Sequence, residues 1–205
     1  MAEFDQKAAT WDDDPDKVKR AISIAGSIAN SIDLSTIKSA MEYGSGTGLL
    51  SFALKGRLAE IVLMDESRSM TDVARAKCLE KDVNHVNPIQ YDLLKQPLPD
   101  YKFDLIFILL TLHHISDTTA ILDKFQQLLK PDGYLAIIDL EEEDGSFHED
   151  EFHGHNGFNR KSLEELLEAH GLKPVSYEVC YELERETDDD KVKYPLFLLV
   201  SKKKA

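Results

Sequence analysis

Glu42-Tyr43-Gly44-Ser45-Gly46-Thr47-Gly48 is the stretch on which the reading of this chain turns. Three glycines stand at alternate positions, between an apolar run that ends at Tyr43 and an amphipathic run that begins at Leu49. Glycine adopts positive φ without a Cβ clash and lets a ligand approach the backbone, and each one costs conformational entropy on folding. The cluster therefore predicts a tight turn from a strand into a helix. In open α/β sheets, ligands bind just beyond such strand ends.

The flanking sequence supports that frame. Upstream, Asp12-Asp13-Asp14-Pro15 reads as a helix start, with acidic residues at the positive end and Pro in the first turn. Val18, Ile22, Ala25, Ile28 and Ala29 follow at helical spacing, and residues 37–43 predict the first strand. Downstream, 49–54 predicts a helix, 61–65 a strand, and 67–79 a helix capped by Ser67. Strands are expected over 86–91 and 103–110, and a helix over 115–129. Lys130-Pro131-Asp132-Gly133 predicts a turn before a fifth strand at 134–140. Residues 144–159 predict a long polar loop, and 160–170 a helix with Gly171 at its C-terminal cap. Two last strands, 175–183 and 196–200, are expected to be joined by a charged, mobile connection over 184–193. Alternating strands and helices predict an α/β, doubly wound, mostly parallel seven-stranded sheet with helices on both faces. The last two strands have no helix between them and so pair antiparallel. No repeat and no second domain are visible, so residues 1–205 read as one domain, with 1–35 as a lid-helix region and 36–205 as the core.

Composition narrows the functions. The net charge is −14, and the one compact basic run is Lys202-Lys203-Lys204. A nucleic-acid partner needs clustered Lys and Arg to displace counterions, so none is expected. The longest apolar run, Leu105 to Leu110, is far short of the roughly 20 residues that span a bilayer. Residues 1–11 carry no apolar signal segment, and Cys78 and Cys180 form neither a metal spacing nor a disulfide framework. A cytoplasmic protein without a membrane partner is expected; oligomeric state is not legible.

The glycine spacing also narrows the ligand. A dinucleotide fingerprint, G-x-G-x-x-G, would put its third glycine at 49, where this chain has Leu49. That disfavours a nicotinamide reductase. Asp65 closes the second predicted strand, where a carboxylate can accept ribose hydroxyls. Asp92 follows the third, within reach of a base amino group. Neither a P-loop Lys nor an Arg accompanies the glycines. The pattern is a nucleoside site without a phosphate clamp.

With these motifs in order, the chain resembles the class I S-adenosylmethionine-dependent methyltransferases. The resemblance rests on residues 42–48, on Leu63-Met64-Asp65-Glu66-Ser67 with Met70, and on Asp92-Leu93. It extends through Phe103-Asp104-Leu105-Ile106, Leu112-His113-His114-Ile115 and Leu129 to Leu135. Ala8-Ala9-Thr10-Trp11-Asp12 and His155-Asn156-Gly157-Phe158-Asn159-Arg160 suggest the small-molecule, ubiquinone-biosynthesis-like subgroup. It implies a Rossmann-like fold, S-adenosylmethionine as cofactor and a small molecule as methyl acceptor. It implies cofactor contacts from Trp11, Glu42, Tyr43, Gly44, Ser45, Gly46, Gly48, Asp65, Glu66, Met70, Asp92 and Leu93. Two departures stand out. Ile108-Leu109-Leu110 occupies a strand end where the family often has a small polar residue, and Asp132 replaces a usual Gly.

A sulfonium methyl is already activated, so the protein mainly orients the nucleophile. A general base is needed only for a protonated acceptor. Candidates are His113 and His114 at the end of the fourth strand, and His148, His153 and His155 in the long loop; as chain neighbours, at most one of His113 and His114 is expected to face the site. His148, His153 and His155, beside Glu149, Asp150 and Glu151, match no helix-borne zinc spacing and read as a solvated loop, so no metal site is expected. The alternative function is a cofactor-binding sensor or interaction module without turnover.

Overall fold

A computed structural model describes residues 2–148, 152–186 and 191–204. Its centre is β1 (Ala40–Tyr43), buried at every position and hydrogen-bonded on both sides. Around it stand β2 (Ile61–Asp65), β3 (Val86–Gln90), β4 (Phe103–Leu109), β5 (Leu129–Leu140), β6 (Leu172–Glu186) and β7 (Lys191–Lys203). The order is β3-β2-β1-β4-β5-β7-β6. All strands run parallel except β7, which is antiparallel to both neighbours. The sheet is thus the Rossmann-like, mixed seven-stranded one expected.

Chain direction across the sheet reverses at β1, which leads outward to β2 on one side and has β4 on the other. This switch point opens a crevice beyond the strand ends. The residues after β1 and after β4 flank it.

The helices are α1 (Ala2–Lys7), α2 (Pro15–Ser31), α3 (Leu49–Leu54), α4 (Arg68–Glu80), α5 (Thr118–Leu128) and α6 (Arg160–Ala169). Side chains of β4 alternate with period two. Leu105 and Phe107 join Ile24 and Ile28 of α2 and Leu50 and Leu54 of α3. Ile106 and Ile108 join Phe125 of α5 and Leu167 of α6. Helices therefore cover both faces. Asp14 and Ser67 cap α2 and α4 by accepting from Asp16 N–H and Met70 N–H. Among the described residues, no helix is long and apolar enough to cross a membrane.

Several boundaries differ from expectation, each for a physical reason. The first strand begins at Ala40, because Lys38 and Ser39 give their N–H groups to the Asp104 carboxylate, at 3.1 and 2.9 Å. The turn at 130–133 lies inside β5 as a bulge, with Phe103 paired to Leu129 but Leu105 to Tyr134, and Asp132 at φ 62°. Helix α5 starts late because Asp117 caps it, accepting from Ala120 N–H at 2.8 Å. The 184–193 connection is strand where described: Glu184, Arg185 and Glu186 pair with Lys193, Val192 and Lys191. The opposite charges of Glu184 and Lys193, facing each other across the strand pair, favour that pairing. The rest of that connection, residues 187–190, lies outside the described residues.

Phe107 sits in a central strand with no exposure. Phe107→Ala is expected to cost about 3–5 kcal/mol of stability, measured by urea unfolding against wild type. A loss below about 1 kcal/mol would mean that the core collapses around the deletion.

Candidate functional site

All three glycines of the turn have positive φ: 66° at Gly44, 52° at Gly46 and 81° at Gly48. A Cβ on Gly44 would lie 2.2 Å from Thr111 Cγ2, and one on Gly48 would lie 2.7 Å from Leu63 Cδ1. Gly46 differs. Its nearest neighbours would be Met70 Sδ at 3.9 Å and Trp11 Nε1 at 4.0 Å. Gly44 and Gly48 thus allow close packing, whereas Gly46 leaves room on the side shared by Met70 and Trp11. Ser45 Oγ is buried and has no hydrogen-bond partner among the described residues.

Three carboxylates surround the turn. Glu42 accepts from Ser51 N–H at 3.1 Å and from Ser51 Oγ at 2.5 Å, bracing α3 from below. Burial pushes its carboxyl up to about 8, partly opposed by the Ser51 hydrogen bonds. Asp65 accepts from Gly46 N–H at 2.7 Å and from Ser67 N–H at 2.8 Å, so one carboxylate ties the turn to the start of α4. Burial raises its pKa against those two bonds. Asp92 accepts from Leu94 N–H and pairs with Lys95, each at 2.8 Å. Burial opposes its ionisation, but Lys95 and the Leu94 amide hold it below the ordinary range. Tyr43 turns its ring into the core against Phe125. Burial, then the Asp92 charge, raises its phenol. Leu93 is fully buried, Met70 nearly so, and Glu66 is exposed.

The N-terminal segment lies across this turn. Asp5 accepts from Ser67 Oγ at 2.6 Å. Asp12 accepts from Thr47 Oγ1 at 2.5 Å and pairs with Lys77 at 2.6 Å. Trp11, under the Lys17 ammonium at 4.2 Å, reaches toward Gly46, and Phe4 links it edge-on to His114.

Beyond β4, Leu110 takes φ 48°, an unusual value for a bulky residue. This aims Thr111 at Gly44: its Oγ1 donates to Gly44 C=O at 3.2 Å and sits 3.0 Å from Leu109 C=O. The small polar residue missing from Ile108-Leu109-Leu110 is therefore supplied at Thr111. The next turn carries His113, buried, with Nδ1 2.6 Å from Asp139 Oδ1. Asp139 also accepts from His113 N–H at 3.2 Å. The His113 and His114 rings are 4.1 Å apart, and His148 joins them at 5.0 and 5.6 Å. A 3-10 turn over Leu112–His114 brings neighbours together in a way that strand or helix periodicity does not suggest.

The 144–159 loop is pinned where described. Phe147 is buried, Phe158 N–H bonds to Leu140 C=O, and His155 N–H bonds to His113 C=O. Residues 149–151, with their expected solvated acids, lie outside the described residues. The structure thus brings Trp11, the glycine turn, Asp65 and Met70 to one place, with Tyr43, Asp92 and Leu93 at its edge. Sequence reasoning missed Asp5, Thr111, Asp139 and the approach of His148. Each acts across many residues of chain, and no local pattern marks it.

Comparison with known proteins agrees with this geometry. Residues 41–137 match the methyltransferase domain family model. The chain is 35% identical over 104 residues to the ubiquinone/menaquinone biosynthesis C-methyltransferase UbiE of Shewanella frigidimarina, covering 49% of this chain and 41% of that protein. The Pseudomonas aeruginosa UbiE is 33% identical over 116 residues, covering 53% and 45%. The chain therefore spans less than half the length of these curated relatives. Among solved structures, a complex between the Haloferax volcanii Trm112 methyltransferase activator and a methyltransferase matches with TM-score 0.79, 17% identity and 99% and 98% coverage. A SAM-dependent methyltransferase from Aquifex aeolicus matches with TM-score 0.65, 20% identity and 92% and 98% coverage.

The state of Glu42 is open to test. Its value in the fold, about 8, lies above the ordinary 4.5, so the fold favours the protonated form. That contribution is full below the lower value and is lost as pH rises through the upper one. Between about pH 5 and about pH 9, wild type is expected to lose roughly 2–4 kcal/mol relative to Glu42→Gln, which keeps an acceptor for Ser51 without a charge. Urea unfolding of both proteins at the two pH values reads this. A difference independent of pH would place an ionised Glu42 in the fold throughout.

Proposed function

We propose that this chain is a class I S-adenosylmethionine-dependent methyltransferase that moves a methyl group from S-adenosylmethionine to a small molecule, a reading supported by the methyltransferase domain match over residues 41–137 and by its ubiquinone-biosynthesis relatives. The observation that carries the reading is the turn at residues 44–48. It has three left-handed glycines, only ordinary van der Waals contacts at Gly46, a carboxylate at Asp65 and a thioether at Met70. Such a cradle fits an uncharged nucleoside edge better than a pyrophosphate. No Lys or Arg lies within the turn, and buried carboxylates surround it.

In this reading the residues divide the work. Asp65 holds the ribose with lone pairs left over from its two amide bonds. Met70 packs on the base, while Asp92 and Leu93 bound its amino edge. Ser45, Gly46 and the backbone of the turn hold the amino-acid portion. When bound, the cofactor supplies an electrophilic methyl on a sulfonium. Residues 1–35 act as a lid: Trp11 covers the turn, excludes water and offers a ring face to a cation. The acceptor enters from the side of His113 and His114. The Asp139 carboxylate orients the His113 ring through Nδ1 and leaves Nε2 as the ring nitrogen turned away from it. A pocket bounded by residues 1–35 and the described parts of the 141–160 loop suits a small acceptor.

Melting the protein with S-adenosylmethionine, S-adenosylhomocysteine or NAD tests the cofactor. Either adenosyl ligand at about 100 times its Kd should add roughly 2.7 kcal/mol, and NAD should add nothing. Transfer of label from methyl-labelled cofactor into a small-molecule fraction tests the reaction. Asp65→Ala is expected to lower stability by about 1–3 kcal/mol, through two unpaired amides, and to weaken S-adenosylhomocysteine at least about tenfold, a loss of about 1.4 kcal/mol. Unchanged affinity in that variant would remove Asp65 from the ribose, and no melting shift with either adenosyl ligand would overturn the reading.

A further inference from the structure

We propose that His113, His114 and His148 together hold one divalent transition-metal ion of the zinc class, braced by Asp139. One ring nitrogen from each of the three histidines lies within 4.8 Å of the others. A tetrahedral ion with Zn–N bonds of about 2.1 Å needs these atoms about 3.4 Å apart, a contraction that small side-chain rotations supply. His113 already has the geometry of a metal ligand. Its Nδ1 is fixed by Asp139 at 2.6 Å, which leaves Nε2 for the ion. A carboxylate behind a ligating histidine is the usual outer support of such sites. Asp139 is itself fully buried and accepts from the His113 and Leu140 amides, so its position is set by backbone.

His148 supplies the second line of argument. Its Nδ1 is buried and has no hydrogen-bond partner among the described residues. Its ring stacks on Phe152 at 3.6 Å, with 4° between planes, and lies edge-on to Phe147. A buried polar atom left unpaired costs free energy, and coordination to an ion would meet that need. The two phenylalanines line one side of the cluster, where His113 is buried, while His148 is half-buried and His114 is exposed, leaving the ion an approach from solvent. Backbone holds the cluster together: His155 N–H bonds to His113 C=O, and a Cβ on Gly154 would lie 2.2 Å from that same oxygen.

Three histidines leave a fourth position open on such an ion, the arrangement of catalytic rather than structural zinc. Phe4 and Trp11 connect the cluster to the glycine turn. The use of that position rests on the methyl-transfer reading: it would take an acceptor through an oxygen or sulfur atom. An O–H or S–H group bound there releases its proton to solvent, because the adjacent dication lowers its pKa. The His113 ring nitrogen then serves the ion, and solvent takes the acceptor's proton in place of a histidine base.

The test uses the full chain, stripped with chelator and titrated with Co²⁺ alone, then with Zn²⁺. About one equivalent of Co²⁺ is expected, with a visible ligand-field spectrum that Zn²⁺ abolishes. His148→Phe keeps the stack on Phe152 but removes the ligand, and should abolish the spectrum. Asp139→Asn should weaken binding about 10- to 100-fold. S-adenosylhomocysteine binding is measured on every sample. A wild type that takes up neither ion while still binding S-adenosylhomocysteine overturns the metal site and spares the methyl-transfer reading, as does His148→Phe with an unaltered cobalt spectrum. Stoichiometric metal without adenosyl binding supports the metal site and strikes the acceptor role assigned to it.

Discussion

Everything at the working end of this protein depends on one close approach. Gly44, just after β1, meets Thr111, just after β4, so tightly that no side chain fits between them. The contact is possible only because Gly44 lacks a Cβ and because Leu110 accepts a left-handed backbone. A bulky residue there costs on the order of 1 kcal/mol, and the surrounding structure must over-determine it. Leu110 N–H is held by Ile138 C=O at 2.8 Å, and Thr111 Oγ1 closes onto Gly44 C=O. The two central strand ends are thereby pinned at the switch point. The glycine turn continues from one side of the pin and the histidine cluster from the other.

Buried carboxylates then set the chemistry on each side, and their surroundings give each a different character. Glu42 has two donors, both from one serine, and burial outweighs them, so its carboxyl rises to about 8. Asp65 has two backbone amides, yet burial still raises its pKa. Asp139 faces an imidazole. The chain carries net charge −14, but the acids nearest the crevice are individually engaged by neighbouring groups. Bulk charge therefore describes the outer surface, whereas the site is governed by pairwise partners.

How much of this the sequence made legible follows from the range of each interaction. The glycine turn, α3, β2 and the Ser67 cap lie within runs of a few residues, where periodicity and cap chemistry act locally. Asp65 could be placed because a strand end is a local event. Strand lengths were less legible. Asp104 removes Lys38 and Ser39 from β1 across 65 residues of chain, and cross-strand charges extend β6 and β7 well past their apolar centres. The histidine cluster was least legible. Its members come from two segments about 35 positions apart, and its brace comes from a third. A spacing rule written for one helix has no purchase on that arrangement.

The N-terminal cover joins the two sides, and its energetics suit a moving part. It is held by Asp5 to Ser67, by Asp12 to Thr47 and Lys77, and by the ring contacts of Phe4 and Trp11. Partly exposed ion pairs are worth about 0–1 kcal/mol each. The segment's bonds fall on the two elements beside the glycine turn, the loop at Thr47 and the cap of α4 at Ser67, so it ties the start of α3 to the start of α4 across the turn.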